Sequence, residues 1–286
     1  MQRQPTCPAC DSEALKREGE IGIGTITAVL CLRCGVLFCD PMPAAEAVDA
    51  YYAPDGAWQQ HEQPKAQRDY AASLVKTFAA AGVDLTQGGR VLDFGCGSGK
   101  LLDGLRSLGW HTAGIEPATR AAFDRHRELT ALPAAGDFDL VIAHHVLEHL
   151  PHPAAILPPL VASVRIGGHL LISVPYVDDL CRIDTPVRLG YYLNGQKHLV
   201  AYPEASLRML LAMAGCEVIA ALPKTMSLRV VARRTDTHVP LPRKPQKGAL
   251  AVWKAWKRQL QLHRQLRQAH KAANARRLAA GDTDKA

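Results

Sequence analysis

Val91-Leu92-Asp93-Phe94-Gly95-Cys96-Gly97-Ser98-Gly99-Lys100 is the stretch that decides the fold of this 286-residue chain. An apolar run ending in an acid, then three alternating glycines, then a helical pattern reads as strand, tight turn, helix. Glycine suits such a turn because bare backbone lets a ligand approach closely at the carboxyl end of a parallel strand. Gly114-Ile115-Glu116-Pro117 then ends a second apolar run, placing an acid 21 residues after Gly95. A carboxylate there can accept hydrogen bonds from both hydroxyls of a ribose. The glycines are spaced G-x-G-x-G, not G-x-G-x-x-G as in pyrophosphate binders, so the favoured ligand is a nucleoside with a small charged arm.

At these residues the chain resembles the class I S-adenosylmethionine-dependent methyltransferases. Their first motif is similar to residues 91–99, and their second acid matches Glu116. The resemblance implies that Gly95, Gly97 and Gly99 admit the methionine end of the cofactor and that Asp93 sits near its amino group. Cys96 inside the turn and His144 at the end of a later strand complete the expected cofactor-binding set. The implied fold is α/β, a doubly wound, mostly parallel Rossmann-like sheet.

The rest of the middle segment has the alternating strand and helix patterns that build such a sheet. Strands are expected over 90–94, 111–116, 138–143, 168–174, 216–222 and 226–233, the last two as an antiparallel edge. Helices are expected over 66–82, 99–109, 117–129, 153–165 and 203–214. Between Leu129 and Phe138 there is room only for a short third strand at Thr130–Leu132. Gly136-Asp137 is there either a stand-in for the family's acidic adenine loop or a surface turn.

Ahead of this domain lie Cys7-Pro8-Ala9-Cys10 and Cys31-Leu32-Arg33-Cys34. Two C-x-x-C pairs 20 residues apart match the two knuckles of a zinc ribbon, a closed and therefore structural site with Cys7, Cys10, Cys31 and Cys34 as ligands. Metal binding would supply the folding free energy that a segment of this size lacks. Cys39 is read as a buried strand residue. The run Val36–Pro43 followed by Tyr51-Tyr52 is similar to the junction in methyltransferases that carry an N-terminal ribbon, many of which modify sugars, glycan precursors or secondary metabolites. The expected organisation is a ribbon over 1–45, a methyltransferase domain over 46–238, and a proline linker with a basic helical tail over 239–286.

Charge divides along the same line. Of 34 basic and 27 acidic residues, 12 and 2 fall in 240–286, leaving 22 and 25, a net of −3, for the body. A body of that charge argues against nucleic acid as the partner. The tail pattern from Ala249 gathers Val252, Trp253, Trp256, Leu260, Leu262 and Leu266 on one side and Lys254, Lys257, Arg258 and Arg264 opposite. Such a helix suits an anionic membrane surface, a partner helix or a nucleic-acid backbone, or else packs on its own body. The beginning of the sequence has no signal-peptide pattern, so a cytoplasmic protein is expected, with peripheral attachment at the inner membrane face as the tail's alternative.

The expected chemistry sits at Phe138–Leu150, where a strand ends in His144, His145, Glu148 and His149. His145–Leu150 resembles the H-V-L-E-H-L motif of small-molecule methyltransferases, which lies beside the cofactor. A hydroxyl acceptor benefits from a base titrating near neutrality, and His145, His149 and His198 are the candidates. The loop 175–193, with Tyr176, Asp178, Asp179, Arg182, Tyr191 and Tyr192, is expected to recognise the acceptor or act as a lid. The leading reading is methyl transfer to a small polar, sugar-containing or glycan-precursor acceptor. An RNA or protein methyltransferase and a non-catalytic scaffold are the alternatives.

Overall fold

A computed structural model describes residues 3–20, 26–53, 70–117, 126–133, 136–224, 226–235, 237–240 and 247–279. The elements are β1 (Leu15–Glu20), β2 (Thr27–Cys31), β3 (Leu37–Asp40), α1 (Ala45–Tyr52), α2 (Tyr70–Ala80), β4 (Gly89–Phe94), α3 (Lys100–Ser107), β5 (Trp110–Ile115), β6 (Arg127–Glu128) and β7 (Phe138–His144). They continue with α4 (Pro153–Ser163), β8 (Val164–Pro175), β9 (Val200–Ala201), α5 (Glu204–Met213), β10 (Cys216–Lys224), β11 (Ser227–Arg234) and α6 (Lys247–Ala279).

Val91-Leu92 and Leu140–Ala143 are buried, as continuous apolar runs become when helices cover both faces of a parallel sheet. They occupy the middle of a seven-stranded sheet in the order β10-β11-β8-β7-β4-β5-β6. Strands β8, β7, β4, β5 and β6 run parallel, and β11 is antiparallel between β8 and β10. The last two strands thus form the expected antiparallel edge, with β11 beside β8 and β10 outermost. Strand order reverses at β4, with β5 on one side and β7 on the other, so the crevice beyond its carboxyl end is the ligand position of this topology.

Two expectations move. The third strand is Arg127–Glu128, paired with Ala113-Gly114, not Thr130–Leu132. Arg127–Glu128, inside the helix expected over 117–129, is strand; residues 118–125 of that helix lie outside the described residues, as do 66–69 of the lead-in helix. Asp137 precedes β7 at the amino-terminal edge of the sheet, where its carboxylate lies 3.8 Å from Arg90. It is a surface group at the opposite edge from the crevice and is no adenine contact.

The ribbon hairpin does not stand apart from the body. β1, β2 and β3 are joined by β9 into one antiparallel sheet, with Leu37 facing Ala201 and Phe38 facing Val200. α6 lies against this sheet. Trp256 is fully buried among Leu30, Leu37, Cys39, Val177 and Leu180, with Val252, Trp253 and Leu260 beside it. Buried Gln259 accepts from Val187 N at 3.1 Å and donates to the carbonyls of Ile183 and Thr185 at 3.0 Å each. Arg258 donates to Leu180 and Ile183, and His263 to Val187 O. The first half of the tail is thus a strap over the loop 177–193, and its tryptophans face the protein interior instead of a membrane. Leu266 is exposed, and no helix among the described residues is long and apolar enough to cross a membrane.

Candidate active site

The turn after β4 is built on three glycines with φ of +80° (Gly95), +54° (Gly97) and +77° (Gly99), all in the left-handed region that side chains disfavour. A Cβ at Gly95 would also stand 2.5 Å from Val146 Cγ2, so the turn packs directly on the segment following β7. Gly97 has nothing within 4 Å of the corresponding position and faces open space. Glu116, just past β5, accepts a hydrogen bond from Gly97 N at 2.8 Å. The expected carboxylate and the expected turn therefore meet in one cradle.

Asp93 ends β4 buried beneath that cradle, and its Oδ1 has no hydrogen-bond partner. Burial, and then the neighbouring Glu116, push its carboxyl up to about 7. An orphaned acid under a glycine cradle fits a ligand that brings an ammonium, and Glu116 at the rim fits a ribose. Cys96 is buried, its thiol pushed up by burial and by Asp93, and it walls the cradle without exposing a reactive group. His144 lines a small cavity with Leu74, Leu101, Leu171 and Arg229, close to the first turn of α3. Burial pushes it down to about 4, which keeps the ring neutral at physiological pH.

The polar cluster lies next along the chain. His145 has φ +56°, an uncommon conformation for a residue with a side chain, and its N–H bonds Ser173 O at 2.9 Å. Its Nδ1 lies 2.8 Å from Glu148 Oε1 and its Nε2 3.3 Å from Ser227 Oγ. With both ring nitrogens engaged, His145 holds Glu148 in place, and the geometry does not favour it as the base. Glu148 is wholly buried. Burial alone would raise its carboxyl, but the His145 hydrogen bond and the rings of His149 and His198 outweigh that and hold it below the usual range.

His149 and His198 come together from distant segments, with ring centroids 4.9 Å apart. His149 Nδ1 donates to Lys197 O at 2.9 Å, and His198 Nδ1 donates to Tyr191 O. His198 is pushed down to about 4 by burial and by His149. The ribbon sheet sets its position, because Cys39 N donates to Leu199 O and Leu199 N to Glu148 O, at 2.9 and 2.7 Å. Tyr52, in α1, packs edge-on against His149 at 5.9 Å and lies within electrostatic reach of both Glu148 and Glu116. Neither its role nor that of Glu148 as hub was read from the sequence, though an acid inside an apolar H-V-L-E-H-L run is the signal that pointed to the latter.

The long loop differs from expectation. Tyr176 and Tyr192 are buried in the core, and Asp178 accepts from Glu204 N at 2.9 Å to cap α5. Tyr191 remains at the site, its ring 5.9 Å from His198 and its hydroxyl bonded to Met226 O at 3.0 Å.

The four ribbon cysteines bring their sulfurs within 4.8 Å of one another. Cys7 and Cys34 Sγ are 3.5 Å apart and Cys10 and Cys31 Sγ 3.7 Å. A tetrahedron with metal–sulfur bonds of ~2.3 Å has edges of about 3.8 Å, so this donor set fits zinc. Cys39 is buried in β3 outside the set, as expected.

The cradle and the sheet agree with what the chain is similar to. A family profile described as a methyltransferase domain matches residues 60–221, more than half of the chain. Two curated relatives are a "Ubiquinone biosynthesis O-methyltransferase" of Aromatoleum aromaticum, 34% identical over 102 residues, and one of Paraburkholderia xenovorans, 35% identical over 102 residues. Each match covers 30% of this chain and 44% of the relative, so the chain spans under half of those proteins' length. Among solved structures, a 1,6-didemethyltoxoflavin-N1-methyltransferase of Burkholderia thailandensis, with 1,6-didemethyltoxoflavin and S-adenosylhomocysteine bound, superposes with a TM-score of 0.51 at 18% identity, covering 77% of this chain and all of that one. With the profile over most of the sheet, the chain belongs to the methyltransferase-domain family, and its fold is that of the solved methyltransferase it superposes on.

Proposed function

We propose that this protein methylates a hydroxyl of a small polar acceptor. S-adenosylmethionine, when bound, supplies a methyl group already activated on a sulfonium. The observation that carries the reading is the cradle itself: bare backbone at Gly95–Gly99, with Asp93 beneath it and Glu116 at its rim. Asp93 would receive the amino group and Glu116 the ribose. The acceptor would lie over Val146–His149, where the turn packs on the polar cluster.

His149 and His198 each have Nδ1 tied to a carbonyl, which leaves Nε2 as the nitrogen that can take the acceptor's proton. His145 is proposed as a positioning residue through Glu148. Alignment at near-attack distance supplies much of the rate for an in-line displacement. The relatives are named as O-methyltransferases, which supports an oxygen acceptor. They do not support a sugar, for which the ribbon-bearing junction is the sole argument, so a phenolic or quinol-type hydroxyl stands ahead of a glycan precursor. The ribbon cysteines are proposed to hold structural zinc.

The test is transfer of labelled methyl from S-adenosylmethionine to a panel of phenolic and sugar-nucleotide acceptors. Transfer to a hydroxyl that is lost in His149→Ala and His198→Ala, with S-adenosylhomocysteine still bound, supports the assignment. Full activity in both variants would refute the base assignment.

A further inference from the structure

We infer that Glu148, His149 and His198 form a second metal site, for a divalent first-row transition ion held by one carboxylate and two imidazoles. The inference rests on the reading of the polar cluster as the acceptor end of the site and deepens it. One ligand atom from each residue lies within 4.8 Å of the other two. Modest side-chain rotation closes that spacing to the roughly 3–3.5 Å between ligands that each stand about 2.1 Å from one ion.

The hydrogen bonds define the donor set. Lys197 O and Tyr191 O can only accept, so Nδ1 of both His149 and His198 carries hydrogen, and Nε2 of each ring is the nitrogen left for a metal to take. Histidine ligands are held in this way, with the non-ligating nitrogen donating to a carbonyl that fixes the tautomer and ring orientation. Glu148 is wholly buried; Oε1 accepts from His145, while Oε2 is buried with no hydrogen-bond partner. His149 Nε2 lies 3.9 Å from Glu148 Oε1, too far for a hydrogen bond. A carboxylate and two imidazoles thus converge on one point. The buried, unpartnered Oε2 of Glu148 is left without compensation unless a cation is bound there.

The ligands also identify the class of ion. Two imidazoles with one carboxylate suit zinc, manganese, iron(II), cobalt or nickel, whereas magnesium and calcium prefer all-oxygen sets and copper(I) prefers sulfur. Three protein ligands leave coordination positions open, unlike the four closed thiolates of the ribbon. An acceptor hydroxyl bound there would be acidified by the ion and would release its proton to solvent; with the ion bound the two rings serve as ligands, and only without it as bases.

Cobalt(II) titration of the full-length protein reads both sites at once. Thiolate coordination gives intense sulfur-to-metal charge transfer, which a nitrogen–oxygen site lacks. The expected result is two equivalents per chain, one with thiolate bands and one without, the second lost in Glu148→Gln, His149→Ala and His198→Ala while the thiolate bands persist as the measure of folding. One equivalent in the wild-type chain, or a second that survives all three substitutions, overturns the site. S-adenosylhomocysteine uptake, read in the same samples, tests the methyltransferase reading by itself: a chain that takes up the nucleoside but a single ion loses the metal site and keeps the proposed function.

Discussion

Asp93 is the residue at which the cofactor reading becomes a pH dependence. Its folded pKa, about 7, lies above the ~3.9 of an unfolded aspartate. Between those values the native state keeps a proton that the unfolded chain releases. Its contribution to the stability of the cofactor-free protein is therefore full below about pH 4 and is lost as pH rises towards about 7. An ammonium beside the ionised carboxylate has the opposite preference, so affinity for S-adenosylhomocysteine is predicted to rise over the same window. Asp93→Asn should flatten that rise and weaken binding above pH 7 by about 10- to 100-fold, the worth of a charge-assisted hydrogen bond; calorimetry against pH checks both. Asp93, the glycines, Glu116 and the ribbon cysteines were legible because their spacing is local. The partnership of His198 with Glu148 was not, because it depends on a 50-residue separation closed by a β-pairing that no local pattern encodes.

At the scale of elements, α6 shows what an amphipathic pattern conceals. The sequence shows an apolar side carrying two tryptophans, but the surface that covers it is formed by β2, β3 and the loop 177–193 of the same chain. Trp256→Ala should cost about 3–5 kcal/mol, as removal of a buried aromatic does, and should appear as a lowered thermal midpoint. Gln259→Ala leaves the buried backbone groups of Ile183, Thr185 and Val187 without their partner and should cost about 1–3 kcal/mol. Wild-type stability in both variants would contradict the strap. The alternation of strands and helices was read within a few residues, because continuous apolar runs and glycine turns report directly on a buried parallel sheet. The third strand was misplaced because Arg127-Glu128 offers only two polar residues, held by Leu129 N on Gly114 O and by pairing with β5.

Across the whole molecule, the ribbon and the catalytic sheet are one structure. Ala154 N donates to Pro8 O, Tyr202 OH to Leu147 O, and β3 pairs with the strand that follows His198. Structural zinc contributes about 10–16 kcal/mol to folding in small domains, so losing the ion proposed at these cysteines should loosen β3 and release His198. Cys31→Ser is accordingly predicted to lower turnover far more than cofactor affinity; equal losses in the two would contradict the coupling. The boundary expected at residue 45 followed the cysteine spacing, which does not report that β9 pairs with the ribbon sheet. The central claim, that the turn after β4 and the acid after β5 form a berth for an adenosyl sulfonium, is tested most directly by calorimetric titration of the zinc-loaded full-length protein with S-adenosylhomocysteine. Saturable binding at one equivalent per chain, abolished by Glu116→Ala, is the predicted result. An absence of uptake by the folded wild-type protein, or uptake unchanged in Glu116→Ala, would contradict it.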